Sequence, residues 1–216
     1  MHKKTIFILS MVLIGLALLT IFVVKQSAQI TIKPAEKPLI ENNATILPVS
    51  ESDPMYGNPG GAMTIDEFFS FDCPECAVLH EQLISFVNTH SGKVRLRSTA
   101  ILKTNWLGQQ EEILPALALF CAEKQNAYWQ FLDKLLKTSD LEEQPLDNLA
   151  KETGLNETQF GSCLKDETAK IAVQNKQNVL QTAGLLETPL LFVDNKQINF
   201  NTDVKAIDIL TKIISK

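Results

Sequence analysis

Phe68-Phe69-Ser70-Phe71-Asp72-Cys73-Pro74-Glu75-Cys76 sets two cysteines three residues apart at the end of a strand-like apolar stretch. The proline after the first cysteine is preset for a first helical turn, so the stretch reads as a strand-to-helix junction. A helix starting at Cys73 puts that sulfur among unpaired backbone N–H groups at the positive end of the helix dipole, which favours thiolate over thiol. Cys76, one turn on, lies on the same face and can close a disulfide with it. Other uses of the spacing fit less well. Haem attachment needs a histidine directly after the second cysteine, and that position is Ala77. Zinc wants further ligands at matching spacing, and only His80 stands near; Cys121 and Cys163 are remote, so no metal or cofactor is expected. Two cysteines that merely fill a core leave the Asp72 and Pro74 junction without a purpose.

A second feature is Glu187-Thr188-Pro189-Leu190-Leu191-Phe192-Val193-Asp194-Asn195-Lys196. Proline can open a strand but not sit inside a central one, so Leu190 to Val193 read as a short buried strand ending in an Asp-Asn-Lys turn. With both features in place, the sequence resembles the DsbA-like thiol:disulfide oxidoreductases of the thioredoxin superfamily. Their pattern is strand, CPxC, helical insertion, then Thr-Pro and a closing hairpin, and the resemblance covers about residues 55 to 216. It implies an α/β thioredoxin-like fold with an inserted helical domain. It also implies a cis Thr188–Pro189 bond facing the dithiol, with Thr188 and Pro189 flanking the Cys73 sulfur and pairing with the substrate backbone.

The same resemblance assigns roles to four more residues. Glu67, six residues before Cys73, matches a buried acid that assists proton transfer to and from Cys76; its shared parity with Ile65 and Phe69 argues for burial over a solvent-facing position. Cys121 and Cys163 fall where similar family members carry a second, structural disulfide, the alternative being two free buried thiols. His80 either tunes Cys76 or packs on its helix. Three positions depart from the family pattern: Glu187 stands where Gly is frequent, Leu190 replaces a small polar residue, and Glu75 takes the place of a His or Tyr. A carboxylate between the cysteines repels a thiolate at Cys73, which makes the reduced form less favoured and the protein a weaker oxidant.

Thr5 to Val24 is an uncharged run preceded by His2-Lys3-Lys4, long enough to span a bilayer. The one candidate cleavage site, Gln26-Ser27-Ala28, has a long polar residue where a small one is wanted, so an uncleaved anchor is expected, with a cleaved, soluble form as the alternative. Lysines on both flanks leave the positive-inside rule without a vote. Oxidisable cysteines want an oxidising compartment, which argues for a tail at 1–4 in the cytoplasm, an anchor at 5–24 in the bacterial cytoplasmic membrane, and an exported, periplasmic body. Residues 25–54, with Lys33-Pro34 and Lys37-Pro38 and no sustained period, read as a tether.

The remaining chain is one domain's worth, enough to bury a core without disulfide staples. Net charge is −5 from 20 Lys and Arg against 25 Asp and Glu, and without Lys3, Lys4 and Lys25 the exported part carries 17 against 25, or −8. Nucleic-acid binding is disfavoured. Periodicity predicts strands Met63–Phe71 and Val94–Leu102 around a helix Cys73–Thr89, a βαβ start. An insertion over about 109–183 holds predicted helices Leu114–Glu123, Tyr128–Lys137, Leu146–Glu152, Glu157–Leu164 and Glu167–Thr182; a strand, a turn and a helix Val204–Ile214 close the chain. Trp129, Phe131, Leu132 and Leu135 are expected in the core. Asn43 and Asn156 match a glycosylation pattern, but Asn156 with Gln159 three later reads as a helix cap.

These features point to a membrane-anchored, extracytoplasmic thiol:disulfide oxidoreductase working through Cys73-Pro74-Glu75-Cys76. Its partners would be cysteine-containing protein substrates and a membrane redox protein that recharges the dithiol. A reductase or isomerase of the same fold, or a redox-inert peptide-binding module, are the alternatives.

Overall fold

The computed structural model describes residues 47–50, 53–103, 112–138, 141–201 and 205–215. The chain folds around two parallel strands, the first covered on both faces and the second buried except at Arg95 and Thr99. A short strand β1 (Tyr56–Gly57) precedes β2 (Met63–Phe69) and β3 (Val94–Ala100), and helix α1 (Pro74–Thr89) makes the crossover between the last two. Strand β4 (Leu190–Val193) and strand β5 (Lys196–Ile198) form the closing hairpin, whose turn places Asp194 and Asn195 at positive φ, where Asp and Asn are best tolerated. The order across the sheet is β1-β3-β2-β4-β5, with β2 and β3 parallel and the other neighbours antiparallel.

Every residue of β2 is buried, so alternation with Ile65 and Phe69 does not distinguish Glu67: Asp66, of opposite parity, is as deep as Glu67. A parallel strand at the centre of a two-sided sheet loses the polar-out face that parity arguments assume. On one side Ile65, Leu83, Phe86, Val94 and Leu191 pack with Ile209 and Leu210 of the last helix, α7 (Ala206–Ile214). On the other, Phe68 meets Phe192 edge to face, ring centroids 5.8 Å apart, beside Leu180 and Leu185.

Between β3 and β4 lies the helical insertion: α2 (Ile113–Glu123), α3 (Tyr128–Leu135), α4 (Glu143–Glu152), α5 (Glu157–Leu164) and α6 (Glu167–Thr182). Its core of Leu117, Leu119, Phe131, Leu132, Leu146 and Phe160 runs continuously into Phe69, Phe71 and Leu102 of the sheet layer. Phe131, Leu132 and Leu135 are buried as expected, while Trp129 is only half-buried and touches both the insertion core and the α1 side. Asn156 caps α5 by accepting the Gln159 N–H at 2.9 Å. A polar clamp that periodicity does not reveal joins the layers: Gln177 of α6 accepts the Leu102 N–H at 2.9 Å and donates to the Ala100 carbonyl at 2.8 Å, continuing the β3 ladder with a side chain.

Several element bounds differ from the sequence reading. β2 stops at Phe69, where the Ser70 hydroxyl lies against that of Thr188, and α4 starts at Glu143, before the first apolar residue of its period. The two-residue β1 carries no periodic signal. Its Gly57 has φ +89°, and a Cβ there would lie 2.6 Å from the Val94 carbonyl oxygen and from Val87 Cγ1. Gly57→Ala should therefore lower stability by about 1–3 kcal/mol, read as a lower urea midpoint at unchanged slope. Among the described residues no helix is long and apolar enough to cross a membrane; the expected anchor at 5–24 and most of the tether at 25–54 lie outside them.

Candidate active site

Helix α1 begins where Pro74 sets the first helical φ, and Cys73 is its cap. The Cys73 Sγ accepts the Cys76 N–H at 3.1 Å, while the Cys73 carbonyl accepts from Cys76 and Ala77. The two cysteines are joined as a disulfide with Cα atoms 5.2 Å apart. Their surroundings differ: Cys76 is fully buried against Phe69 and Phe71, whereas Cys73 is half-buried and opens onto a pocket. An incoming sulfur therefore meets Cys73.

The loop before β4 completes that mouth. The Thr188–Pro189 bond is cis. Thr188 lines the Cys73 pocket, and its hydroxyl lies 2.8 Å from that of Ser70, tying the loop to the end of β2. Pro189 lies on the far side, in a groove of about 790 Å³ shared with Pro74, Glu75, Val78, Leu190 and Phe200. Val78 is 57% exposed there.

Behind the disulfide lies a buried polar group. Glu67 is 1% exposed, and its Oε2 accepts from His80 Nδ1 at 2.7 Å and from Ser98 Oγ at 2.5 Å. The β2–β3 register places Glu67 beside Ser98, and α1 carries His80 one turn after Cys76 on the same buried face. Trp129 of α3 stacks parallel to His80, ring centroids 6.1 Å apart and planes 9° from coincidence. The neighbouring Tyr128 donates its hydroxyl to the Ser98 carbonyl at 2.5 Å, and burial pushes its phenol well above the ordinary range, keeping it a donor. The structure thus brings together Glu67 and His80, which stand apart in the sequence; no local sequence signal marks Ser98 and Trp129 as members of this group.

Charges at the mouth come from three elements. Asp72 pairs with Lys103, whose ammonium holds the Asp72 carboxyl below the usual carboxylate range. Glu75 stands in the first turn of α1, and Glu187 precedes Thr188; both are exposed. Deeper, the register sets Asp66 beside Arg97, whose Nε donates at 2.6 Å. Burial pushes Asp66 up, and Arg97 opposes the shift. Cys121 of α2 and Cys163 of α5 are joined as a second disulfide, Cα atoms 5.8 Å apart, within the insertion core. Among the described residues no group of three His, Cys, Asp or Glu side chains could hold a metal ion.

The family model described as thioredoxin matches residues 49–214. The chain belongs to the thioredoxin family. Its redox motif, helical insertion and Thr-Pro loop place it with the DsbA-like thiol:disulfide oxidoreductases. A Rickettsia bellii protein named as a protein-disulfide oxidoreductase is 21% identical over 183 residues, which cover 80% of this chain and 70% of that protein. A counterpart of the same kind from Rickettsia prowazekii is 21% identical, with 84% of this chain and 67% of that protein covered. Oxidised BdbD from Bacillus subtilis superposes with a TM-score of 0.61 at 21% identity, covering 76% of this chain and 91% of that structure. Chlamydia trachomatis DsbA gives 0.61 at 18% identity, with coverages of 77% and 92%. At these identities the structural likeness speaks for the thioredoxin-like fold with inserted helices.

Proposed function

We propose that this protein exchanges disulfides with cysteine-containing protein substrates outside the cytoplasm, held at the bacterial cytoplasmic membrane by residues 5–24. The observation that carries the exchange chemistry is the unequal disulfide: Cys73 open at a helix start and facing the cis Thr188–Pro189 loop, Cys76 buried behind it. The anchor and the exported site rest on the uncharged run Thr5 to Val24 and on cysteines that want an oxidising compartment. In the oxidising direction a substrate thiolate attacks Cys73 Sγ, the Cys73–Cys76 bond breaks, and Cys76 leaves as a thiolate. The proton path to and from that sulfur runs through Glu67, which hydrogen bonds to His80 and Ser98 hold in place. A second substrate thiolate then attacks the substrate sulfur of the mixed disulfide and releases Cys73. The substrate has lost two electrons and gained a disulfide; the protein holds the electrons as a dithiol until a membrane redox partner removes them. The extended substrate chain lies along Thr188 and Pro189, with apolar side chains in the groove beside Val78 and Phe200.

The test mixes the full-length oxidised protein with a reduced peptide containing two cysteines. One peptide disulfide should form per protein disulfide consumed; a peptide that stays reduced while Cys73–Cys76 stays intact would overturn the reading. Equilibrium in glutathione buffers then measures the potential, which together with the recharging partner sets the direction. Glu75→His removes the carboxylate beside Cys73, so it should lower the Cys73 pKa, stabilise the reduced form and raise the potential by about 30 mV per pKa unit. Thiolate absorbance against pH on the same two proteins checks the sign.

A further inference from the structure

We infer that Glu75 and Glu187 select substrates whose reacting cysteine is flanked by Lys or Arg, a substrate class for the thiol:disulfide exchange proposed above and resting on that reading. The space in front of the Cys73 sulfur, about 410 Å³, is lined by Asp72, Glu75, Lys103 and Glu187 together with Ser70 and Thr188. Three carboxylates there meet one ammonium, and Lys103 is engaged with Asp72. Neither Glu75 nor Glu187 forms an ion pair with another described residue, so theirs is the charge an incoming chain encounters. They reach the same mouth from two separate elements, Glu75 from the first turn of the helix that Cys73 caps and Glu187 from the loop before the cis Thr188–Pro189 bond.

Their position gives the charge its meaning. Exchange requires the substrate sulfur to reach Cys73 Sγ, which brings the residues on either side of the substrate cysteine into this mouth. A carboxylate about 7 Å from a unit charge in water changes an encounter rate roughly two- to threefold. Replacing Arg by Glu beside the cysteine changes the substrate charge by two, and two carboxylates act on it. After partial screening the preference should be on the order of tenfold at low salt, attractive for the cationic chain and repulsive for the anionic one. Glutathione, an anion, belongs to the disfavoured class.

The test uses the full-length oxidised protein and two dithiol peptides of one sequence, differing only in Arg or Glu at one position beside the first cysteine. Flanking charge also alters the reactivity of the peptide thiol itself, so the rate ratio, Arg peptide over Glu peptide, is compared with that of Glu75→Gln/Glu187→Gln. Because both peptides meet the same Cys73, the ratio cancels any change that Glu75→Gln makes to that sulfur. The ratio should be about tenfold larger in the native protein than in the double variant at 10 mM salt, and the two should converge at 1 M, where the Debye length is about 3 Å. Equal ratios in the two proteins, or a native ratio indifferent to salt, overturn this inference alone. No exchange with either peptide overturns the oxidoreductase reading along with it.

Discussion

In the reduced protein, iodoacetamide should alkylate Cys73 more than tenfold faster than Cys76, Cys73→Ser should abolish exchange, and Cys76→Ser should accumulate mixed disulfides with substrate. The expectation rests on two independent asymmetries. Cys76 is fully buried against Phe69 and Phe71, while Cys73 opens to the mouth. Cys73 Sγ also caps α1 and accepts the Cys76 N–H at 3.1 Å, so a thiolate there gains a hydrogen bond and the dipole of a 16-residue helix. Cys76, inside the first turn, has neither advantage. Once it is removed, the mixed disulfide on Cys73 has no internal thiol to resolve it. Mass spectrometry of quenched alkylation time courses measures the two rates, and equal rates would sink the assignment of Cys73 as the attacking and attacked sulfur.

Removing the second disulfide should cost stability and leave the redox chemistry alone. Cys121 and Cys163 close a loop with a sequence separation of 42. In the chain-entropy model a loop of that length stabilises the folded state by about 4 kcal/mol. Cys121 is 1% exposed within a core shared by α2, α3 and α5, so Ala at both positions also loses packing. Cys121→Ala/Cys163→Ala should thus unfold at clearly lower urea while the Cys73–Cys76 potential, measured below the unfolding transition, stays where it was. A variant that kept its fold yet lost exchange activity would recast the pair as a second redox relay.

The local parts of this site were legible in the sequence because short-range stereochemistry determines them. Pro74 presets the first turn of α1, Cys73 and Cys76 fall one turn apart, Asn156 caps α5, and Pro189 can only open its strand; each depends on residues within about four positions of itself. The insertion helices announced themselves by period for the same reason. Bounds were lost where local signal was weak, as in the polar first turn of α4 and the two-residue β1. The burial of Glu67 was expected from strand parity, yet the strand turned out to be covered on both faces, so the depth comes from the crossover helix and the inserted block instead of from alternation.

What only the tertiary structure decided is which distant groups share a space. The parallel register, a property of two strands and not of either, sets Ser98 beside Glu67 and Arg97 beside Asp66. Docking of the insertion brings Trp129 onto His80, Tyr128 onto Ser98 and Gln177 onto the open end of β3. The return of the chain at Thr188 brings Glu187, a single departure from the family pattern, to the same Cys73 mouth as Glu75. A sequence states which chemical groups are present and how their immediate neighbours bend the backbone. Long-range pairing and the loss of water that gives such groups their strength exist only once the layers have closed.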